Sequence, residues 1–274
     1  MPKGMNFKVC LGLLILLAVL VVAVFAPVLA PHDPYELGIP YQRPSAEHPL
    51  GTNDIGQDIL SELIYGTRVS LLIGVVSALV VTLAGAALGI LAGYCGGVVD
   101  RVICQVINVA MAMPSLPLTI ILVAFLSAST WNLIIAICIT AWTATARIIR
   151  SRVIQIRELP FIRIEQTLGA KSIYIMFRHI LPNIVDIVFI RGVMSIGSAM
   201  LTEASLSFLG LGVIGQKSWG GILHYAFFRN GIINGYYWWY VPPILCICIS
   251  VLGFMLLSYY GEAKPERRLK HART

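Results

Sequence analysis

The chain has 274 residues, of which 58% are hydrophobic and 12% are charged, and its formal net charge is +7. A soluble domain carries about 25% charged residues, so roughly half that share excludes a soluble protein and indicates an integral membrane protein with one transmembrane domain. The positive charge does not indicate nucleic-acid binding, because the basic residues cluster beside apolar segments without base-stacking aromatics, and we interpret them as a topology signal.

The first part of the chain predicts a membrane anchor followed by an external connector. Residues 9–30 contain no charged side chain and follow two lysines, and about 20 apolar residues are enough to cross the core of a bilayer. The alternative is a secretory signal peptide cleaved after Ala30, but the apolar segment is long for that role and a proline would follow the cut directly. We therefore predict that residues 1–68 form a retained transmembrane anchor and, from residue 31, a polar connector.

A core transmembrane domain is predicted over residues 69–262. Residues 69–99 and residues 102–146 are free of charged side chains. The first of these segments predicts a second span that ends near residues 93–97, and the two charged residues 100–101 mark a short turn. The second of these segments is too long for one helix, so we divide it into two spans that reverse at residues 127–132. Two prolines are expected to kink the first of these two spans, namely Pro114 and Pro117.

The rest of the core contains a basic loop, two further spans and an aromatic segment between them. The loop covers residues 147–182, the fifth span residues 184–211, the aromatic segment residues 214–240 and the sixth span residues 241–261. Residues 263–274 form a basic tail. Three charged side chains interrupt the fifth span, namely Asp186, Arg191 and Glu203.

The placement of positive charge predicts the topology. Most of the 20 lysines and arginines lie in the N-terminal start, the turn after the second span, the basic loop and the tail. Such residues favour the cytoplasmic side of a membrane, and six spans with both termini inside place all four segments there. The connector and the aromatic segment then lie outside. We therefore predict an all-α integral membrane fold with six transmembrane helices.

No metal site is predicted, because neither the histidines nor the cysteines cluster along the sequence. The cysteines make no CxxC pair, and we interpret them as small apolar side chains. A disulfide or metal ligation at Cys246 and Cys248 is the alternative, but residues two apart in one helix point in different directions. The histidines are His32, His48, His179, His224 and His271, and the other cysteines are Cys10, Cys95, Cys104 and Cys138.

The basic loop contains the stretch EQTLGAKSIYIMFRHILPN, residues 165–183, which predicts two short helices. Gly169 permits a sharp turn between them, since glycine adopts backbone angles that other residues resist, and Pro182 is expected to stop the second helix. An amphipathic helix that projects from a membrane bundle suits docking into a groove on a partner, and the alternative is a helix resting on lipid. The apolar residues of the second helix are Ile173, Ile175, Met176, Phe177 and Ile180.

This stretch resembles the cytoplasmic loop of binding-protein-dependent ABC importer permeases, whose pattern is E-A-A, three residues, G, nine residues, I, one residue and L-P. Glu165 occupies the first place, and Gln166 and Thr167 stand where the family favours alanine. The resemblance implies that the loop couples the permease to an ATPase. The residues implied in this coupling are Glu165, Gln166, Gly169, Ala170, Ile180, Leu181 and Pro182.

Three further segments resemble one subfamily, the second permease of peptide and nickel importers. Residues 48–74, HPLGTNDIGQDILSELIYGTRVSLLIG, are similar to its H-P-L-G-T-D-x-x-G-R-D signature, with Asn53 and Gln57 in place of the usual Asp and Arg. Residues 88–101, LGILAGYCGGVVDR, are similar to its L-G-x-x-A-G-Y-x-G-G-x-x-D pattern, and residues 201–223 to its E-x-x-L-S-F-L-G-L-G segment. The resemblance therefore extends over nearly the whole chain.

The resemblance implies a transport subunit, not an enzyme, in the cytoplasmic (inner) membrane of a bacterium or archaeon. Such a permease pairs with a homologous second permease in the lipid, and an external binding protein delivers the substrate. Two cytoplasmic ATPases, which bind ATP and Mg, dock on the coupling loops and pull them together on closure, which turns the path outward. Di- or oligopeptides are the expected substrates, nickel or a metal chelate is the alternative, and no nucleic acid is expected.

Charged side chains inside spans are candidates for the translocation path, because they are costly in a bilayer. We predict that Arg191 lines the path, where it would attract a carboxylate such as that of a peptide, or pairs with an acidic group. Glu203 either lies near the path or caps a broken helix. Asp186 is interpreted as the solvated start of its helix.

Other classes of protein fit the sequence less well. An autonomous secondary transporter would show internal repeats and midplane charges in both halves, and an intramembrane enzyme would need paired catalytic groups at span depth; neither pattern is evident. ATP hydrolysis by this chain is not expected either. The segment GLGVIGQKS, residues 210–218, places its lysine out of register with the phosphate-loop motif.

Overall fold

A computed structural model describes residues 7–262, so the predicted basic tail, with His271, lies outside the described residues. Regular structure within this range is helical, and no strand forms in it. Two π-helical segments, Met176–Ile180 and Ser207–Leu211, adjoin the two ends of α9. The helices are α1 (Phe7–Val24), α2 (Ala26–Leu29), α3 (Ile59–Cys95), α4 (Gly97–Ala112), α5 (Ser115–Phe125), α6 (Thr130–Arg157), α7 (Pro160–Thr167), α8 (Ser172–Ile175), α9 (Leu181–Leu206), α10 (Trp219–Phe228) and α11 (Tyr237–Glu262).

Five helical segments are long and apolar enough to cross a membrane, namely α1, α3, α6, α11 and the continuous helix Ser172–Leu211. Helices α4 and α5 pass the same test as a pair that bends by 86° at its break. Counting that pair as one broken span gives six, which confirms the predicted fold class. The predicted reversal at residues 127–132 is also confirmed, because α5 ends at Phe125 and α6 begins at Thr130.

The break between α4 and α5 lies at a proline, as predicted. Pro114 disfavours the helical conformation for the residue before it, and Met113 is accordingly extended, with φ −89° and ψ 133°. Pro117 lies in the first turn of α5, where the missing backbone N–H would have no helical acceptor. Pro114 therefore accounts for the bend, and Pro117 belongs to a regular helix start.

The second span begins at Ile59 and not at residue 69 as predicted. Asp58 caps α3, since its carboxylate accepts a hydrogen bond from the backbone N–H of Ser61 at 2.8 Å. Three polar residues of this extra stretch of helix are buried inside the protein, namely Ser61, Glu62 and Thr67. Glu62, in the first turn, is one of these buried groups.

The second span ends at Cys95, within the predicted residues 93–97, but the turn after it is made by glycines, so the predicted turn at residues 100–101 is wrong. Gly96 and Gly97 have left-handed φ values of 67° and 54°, a conformation that favours glycine. Asp100 lies inside α4, where it accepts a hydrogen bond from Nη2 of Arg150 in α6 at 2.7 Å. The charge is thus neutralised between helices instead of marking a solvent-exposed turn.

Helix α3 lies at the centre of the bundle, packed against α6 and α9. Three glycines one turn apart on α3, Gly85, Gly89 and Gly93, let α6 approach closely, since small residues allow helix backbones to meet in membranes. A Cβ added to Gly89 would lie 2.7 Å from the carbonyl oxygen of Ala146. Close α3–α6 packing therefore depends on the absence of side chains at these positions.

Most of the predicted basic loop is helical, and Pro182 does not end a helix. Helix α6 extends to Arg157, and a single helix runs from Ser172 to Leu211 through the proline. Just before Pro182, the backbone N–H of Leu181 donates to the carbonyl of Met176, five residues back. A π-helical turn of this kind absorbs the local disturbance that a proline causes in an α-helix.

Candidate functional site

Helices α7 and α8 meet at a glycine hinge, as predicted. Gly169 has a left-handed φ of 79°, and a Cβ placed there would meet no atom within 4 Å. The left-handed backbone conformation at residue 169, and not a lack of space for a side chain, therefore favours glycine there. The backbone N–H of Ala170 donates to the carbonyl of Glu165 at 3.0 Å and closes the end of α7.

One face of this helix pair is fixed to the bundle. Ile162, Ile175 and Ile180 are fully buried and pack in one cluster with side chains of α3 and α6, among them Tyr94 and Val153. Such burial is worth about 1.5–3 kcal/mol for each aliphatic side chain. The pair is therefore attached rigidly. Ile180, implied in coupling by the family resemblance, belongs to this inner face.

The opposite face exposes large apolar side chains, which we call the α7–α8 surface. Leu168 is 77% exposed, and Ile173 and Phe177 are 68% and 67% exposed. Ile164, also largely exposed, completes this surface. An exposed apolar patch of this kind marks an interaction site.

The other residues predicted for coupling lie around this surface. Gln166 and Pro182 are exposed, and Leu181 is partly buried. Glu165 lies 3.6 Å from Nε2 of His179 across the glycine hinge. The end of α7 therefore lies beside the π-helical segment Met176–Ile180.

Arg191 and Glu203, the two charged residues predicted for the path, lie far apart in the structure. Both lie in α9, twelve positions apart, which is about 18 Å along a helix. Nε of Arg191 is buried and has no hydrogen-bond partner among the described residues. Among the residues that the structure describes, Asp186 forms no ion pair with Arg191.

Glu203 is almost fully buried, with 1% of its surface exposed. Its carboxyl group accepts hydrogen bonds from Oγ of Ser70 in α3 at 3.0 Å and from Oγ of Ser207 at 2.8 Å. Ser207 begins the π-helical segment Ser207–Leu211, in which Gly210 has a left-handed φ of 84°. Glu203 thus ties α3 to the point where the long helix departs from α-helical geometry.

A buried polar network at the end of the bundle opposite the α7–α8 surface was not predicted from the sequence. Nζ of Lys217 donates to Oε1 of Glu62 and to Oε1 of Gln57, both at 2.6 Å. Nδ2 of Asn53 donates to the same two oxygens at 3.1 Å. The side chain of Glu62 is 5% exposed and that of Lys217 is 16% exposed. Asn53 and Gln57, where the sequence departs from the family signature, are thus members of one network.

This network lines a cavity of about 270 Å³ between the connector and the segment after α9. Arg229 and Asp54 form an ion pair on its wall, with Nε and Oδ2 3.2 Å apart. Burial raises the pKa of Asp54, and the Arg229 guanidinium opposes that rise. The cavity therefore presents two carboxylates and two cationic groups, each paired within its wall.

The structure also brings two of the scattered histidines together. The ring centroids of His32 and His48 are 4.7 Å apart, and Nδ1 of His48 lies 3.0 Å from Oδ1 of Asp58. The expectation from sequence spacing alone, that the histidines would not cluster, is wrong for this pair. The described cysteines are all free thiols.

Comparison with known proteins gives two family matches. Residues 85–264 match the model of binding-protein-dependent transport system inner membrane components. Residues 9–49 match the N-terminal transmembrane domain of oligopeptide transport permease C.

Individual relatives cover most of the chain. The dipeptide transport system permease protein of Bacillus subtilis is 33% identical over 250 residues, 90% of this chain and 78% of its own. The oligopeptide transport system permease protein of the same organism is 34% identical over 258 residues, 92% and 83% of the two chains. The glutathione transport system permease protein of Pectobacterium atrosepticum is 37% identical over 258 residues, which cover 92% of this chain and 84% of the relative.

Proposed function

The chain belongs to the family of binding-protein-dependent transport system inner membrane components, and we propose that it imports di- and oligopeptides as one permease subunit of an ATP-driven importer. The observation that carries this proposal is similarity over nine-tenths of the chain to permeases named for dipeptides, oligopeptides and glutathione. Glutathione is itself a tripeptide. These substrates share a peptide backbone with charged groups, which sets the chemistry that the path must accept.

The proposed ATPase contact is the α7–α8 surface. Leu168, Ile173 and Phe177 form an exposed apolar patch on a helix pair whose other face is locked into the bundle. A rigid projection of this kind transmits a push from a partner without deforming. In the proposed topology the α7–α8 surface lies on the cytoplasmic side of the membrane, because the adjoining segments are rich in arginine. Both termini are proposed to lie on the same side.

The partners proposed are a homologous second permease, two cytoplasmic ATPases and an external binding protein. ATP and Mg belong to the ATPases in this assignment. Residues 210–218, the glycine-rich segment with a superficial resemblance to a phosphate loop, support the assignment of ATP to the partners. The lysine of this segment, Lys217, donates hydrogen bonds to Glu62 and Gln57. A lysine held in that network is not available to a nucleotide phosphate.

The continuous helix Ser172–Leu211 provides a route for the motion. It begins within the coupling segment and reaches the π-helical segment Ser207–Leu211, a distance of about 60 Å at 1.5 Å per residue. Near its far end, Glu203 links it to α3 through the hydroxyl of Ser70. We propose that movement of the α7–α8 surface reaches the opposite end of the bundle along this helix.

The coupling proposal is tested with the double variant Leu168→Glu and Ile173→Glu. We expect ATPase co-purification with the affinity-tagged chain to fall at least about thirtyfold, since a central interface residue is worth about 2 kcal/mol or more. The matched control is Ile233→Glu, an 82% exposed residue in the segment between α10 and α11, which should leave co-purification unchanged. Retention of the ATPase by the folded double variant would contradict the assignment.

Arg191 is proposed to attract the carboxylate of the peptide, because its buried Nε has no partner among the described residues. A charge-assisted hydrogen bond is worth about 1.5–3 kcal/mol, so Arg191→Gln should raise the KM of tripeptide uptake about tenfold or more. The wild type should prefer a tripeptide with a free C-terminus to its C-terminal amide, and the variant should lose that preference. An unchanged preference in Arg191→Gln would remove Arg191 from the path.

A further inference from the structure

Two histidines and an aspartate meet where three separate segments of the chain come together. His32 follows α2, His48 lies in the connector and Asp58 caps α3. One candidate ligand atom from each of the three lies within 4.8 Å of the other two. Histidine nitrogens and a carboxylate oxygen are the donor set of many zinc sites.

The pair formed by His48 and Asp58 has the spacing of two metal ligands. Nδ1 of His48 lies 3.0 Å from Oδ1 of Asp58, and two ligands of a tetrahedral zinc ion lie about 3.3 Å apart when each bond is near 2.0–2.1 Å. As a hydrogen bond, the contact has Nδ1–H of His48 donating to the carboxylate. A metal ion would replace that proton with little movement of either side chain.

The ring of His32 is oriented so that one nitrogen remains available. Its Nε2 lies 3.0 Å from the backbone carbonyl oxygen of Glu47, which can only accept, so Nε2 carries the proton and Nδ1 keeps its lone pair. Metal-ligating histidines in proteins commonly donate their other N–H to a backbone carbonyl or a carboxylate in this way. The hydrogen bond thus prepares His32 as a ligand.

Ser61 holds the remaining groups in place. Its backbone N–H and its hydroxyl donate to Oδ2 of Asp58 at 2.8 and 2.7 Å, and its hydroxyl also accepts from the backbone N–H of His32 at 3.1 Å. Helix capping uses only Oδ2 of the carboxylate. Capping therefore does not explain why Oδ1 lies against the imidazole of His48.

The site opens into a pocket of about 150 Å³, which leaves room for an ion and a water molecule in a fourth position. Three further carboxylates line this pocket, namely Asp33, Glu36 and Glu47. Carboxylates at the mouth of a cleft raise the local concentration of cations. Imidazole ligands favour zinc, copper or nickel over magnesium and calcium.

From these observations we propose that His32, His48 and Asp58 bind one divalent transition-metal ion, with Zn²⁺ as the reference ion, and that this ion braces the connector against α3. The ion would be resident in the protein and not the transported substrate. The site does not depend on which substrate the permease carries, because none of its three residues lines the 270 Å³ cavity or lies in α9.

The test uses the full chain in detergent, stripped with a chelator and titrated with Zn²⁺ by calorimetry and with Co²⁺ by visible absorption. We expect one ion per chain, a ligand-field band with Co²⁺, and a Tm that rises by about 5 °C or more at about 100-fold excess of Zn²⁺ over its Kd. Mg²⁺ should produce none of these effects.

Three variants identify the ligands. His32→Gln, His48→Gln and Asp58→Asn should each weaken Zn²⁺ binding by at least about tenfold, and Asp58→Asn keeps a side chain that caps helices equally well. His224→Gln is the matched control, since it removes a part-buried histidine that contacts the carbonyl of Phe208, and it should bind like the wild type. A wild-type chain without a Co²⁺ band or a Tm shift would overturn the proposal, as would Zn²⁺ binding that all three ligand variants retain.

Discussion

Replacing Lys217 by methionine is expected to destabilise the chain by about 3–5 kcal/mol, the cost of removing one partner from a buried ion pair. Glu62 would be left with a buried charge, since its side chain is 5% exposed and its Oε2 has no hydrogen-bond partner among the described residues. Gln57 would lose the same donor. The free energy of unfolding in detergent, or the Tm, measures the loss.

A second substitution separates charge from packing. In the double variant Lys217→Met and Glu62→Gln no uncompensated charge remains, so most of the lost stability should return. Lys171→Met is the control for loss of a lysine, because Lys171 is exposed and an exposed change of this kind costs at most about 0.5 kcal/mol. A Lys217→Met chain as stable as the wild type, or a double variant no better than the single one, would show that the pair does not support the fold.

Adding one methyl group at Gly89 is expected to cost about 1–3 kcal/mol, the usual penalty for overpacking a tight core. The new Cβ of Gly89→Ala would lie 2.7 Å from the carbonyl oxygen of Ala146 and 2.9 Å from Cβ of Ile149. Both belong to the body of α6 and not to the flexible end of a side chain, so α3 and α6 must separate. Because α6 leads to α7, uptake should fall together with stability.

The matched control is the same substitution at Gly192 in α9. A Cβ there would have its nearest neighbour, Thr82, at 3.6 Å, which is ordinary van der Waals contact. Gly192→Ala should therefore be neutral or stabilise the helix by up to about 1 kcal/mol. Equal effects of the two alanines on the Tm would contradict the close α3–α6 packing.

The fold class could be predicted because it depends on simple, local quantities. The lengths of apolar segments and the positions of arginine and lysine indicate six spans and a helical bundle. The glycine hinge at Gly169 and the break at Pro114 are local features too, because both follow from the backbone preferences of single residues, and they were predicted.

Features that depend on distant partners were not predictable in this way. Residues 59–68 were assigned to the polar connector, although α3 begins at Ile59. The charge of Glu62 in this stretch is neutralised inside the protein by Lys217, which lies more than 150 positions later in the chain. Asp100 was assigned to a turn because its partner Arg150 lies in another helix. The pairing of His32 with His48 likewise arises from the folding of the connector and leaves no periodic signal in the sequence.

Of the candidate coupling site, the two short helices and the glycine between them were predicted, whereas the contact with an ATPase stays a prediction. The apolar residues of the second helix were treated as one docking face, but the structure divides them, with Ile175 and Ile180 buried and Ile173 and Phe177 exposed. A π-helical turn before Pro182 allows the helix to continue, and hydrophobic periodicity does not reveal such a turn. The roles of Arg191 and Glu203 in a path stay predictions.

The measurement that tests peptide import most directly is uptake in a strain that lacks this gene, with a labelled tripeptide and labelled nickel followed in parallel. We predict that energy-dependent tripeptide uptake is lost and returns when the wild-type gene is restored, while nickel uptake is unchanged. Loss of nickel uptake with normal tripeptide uptake would contradict the account, as would tripeptide uptake that does not depend on the gene.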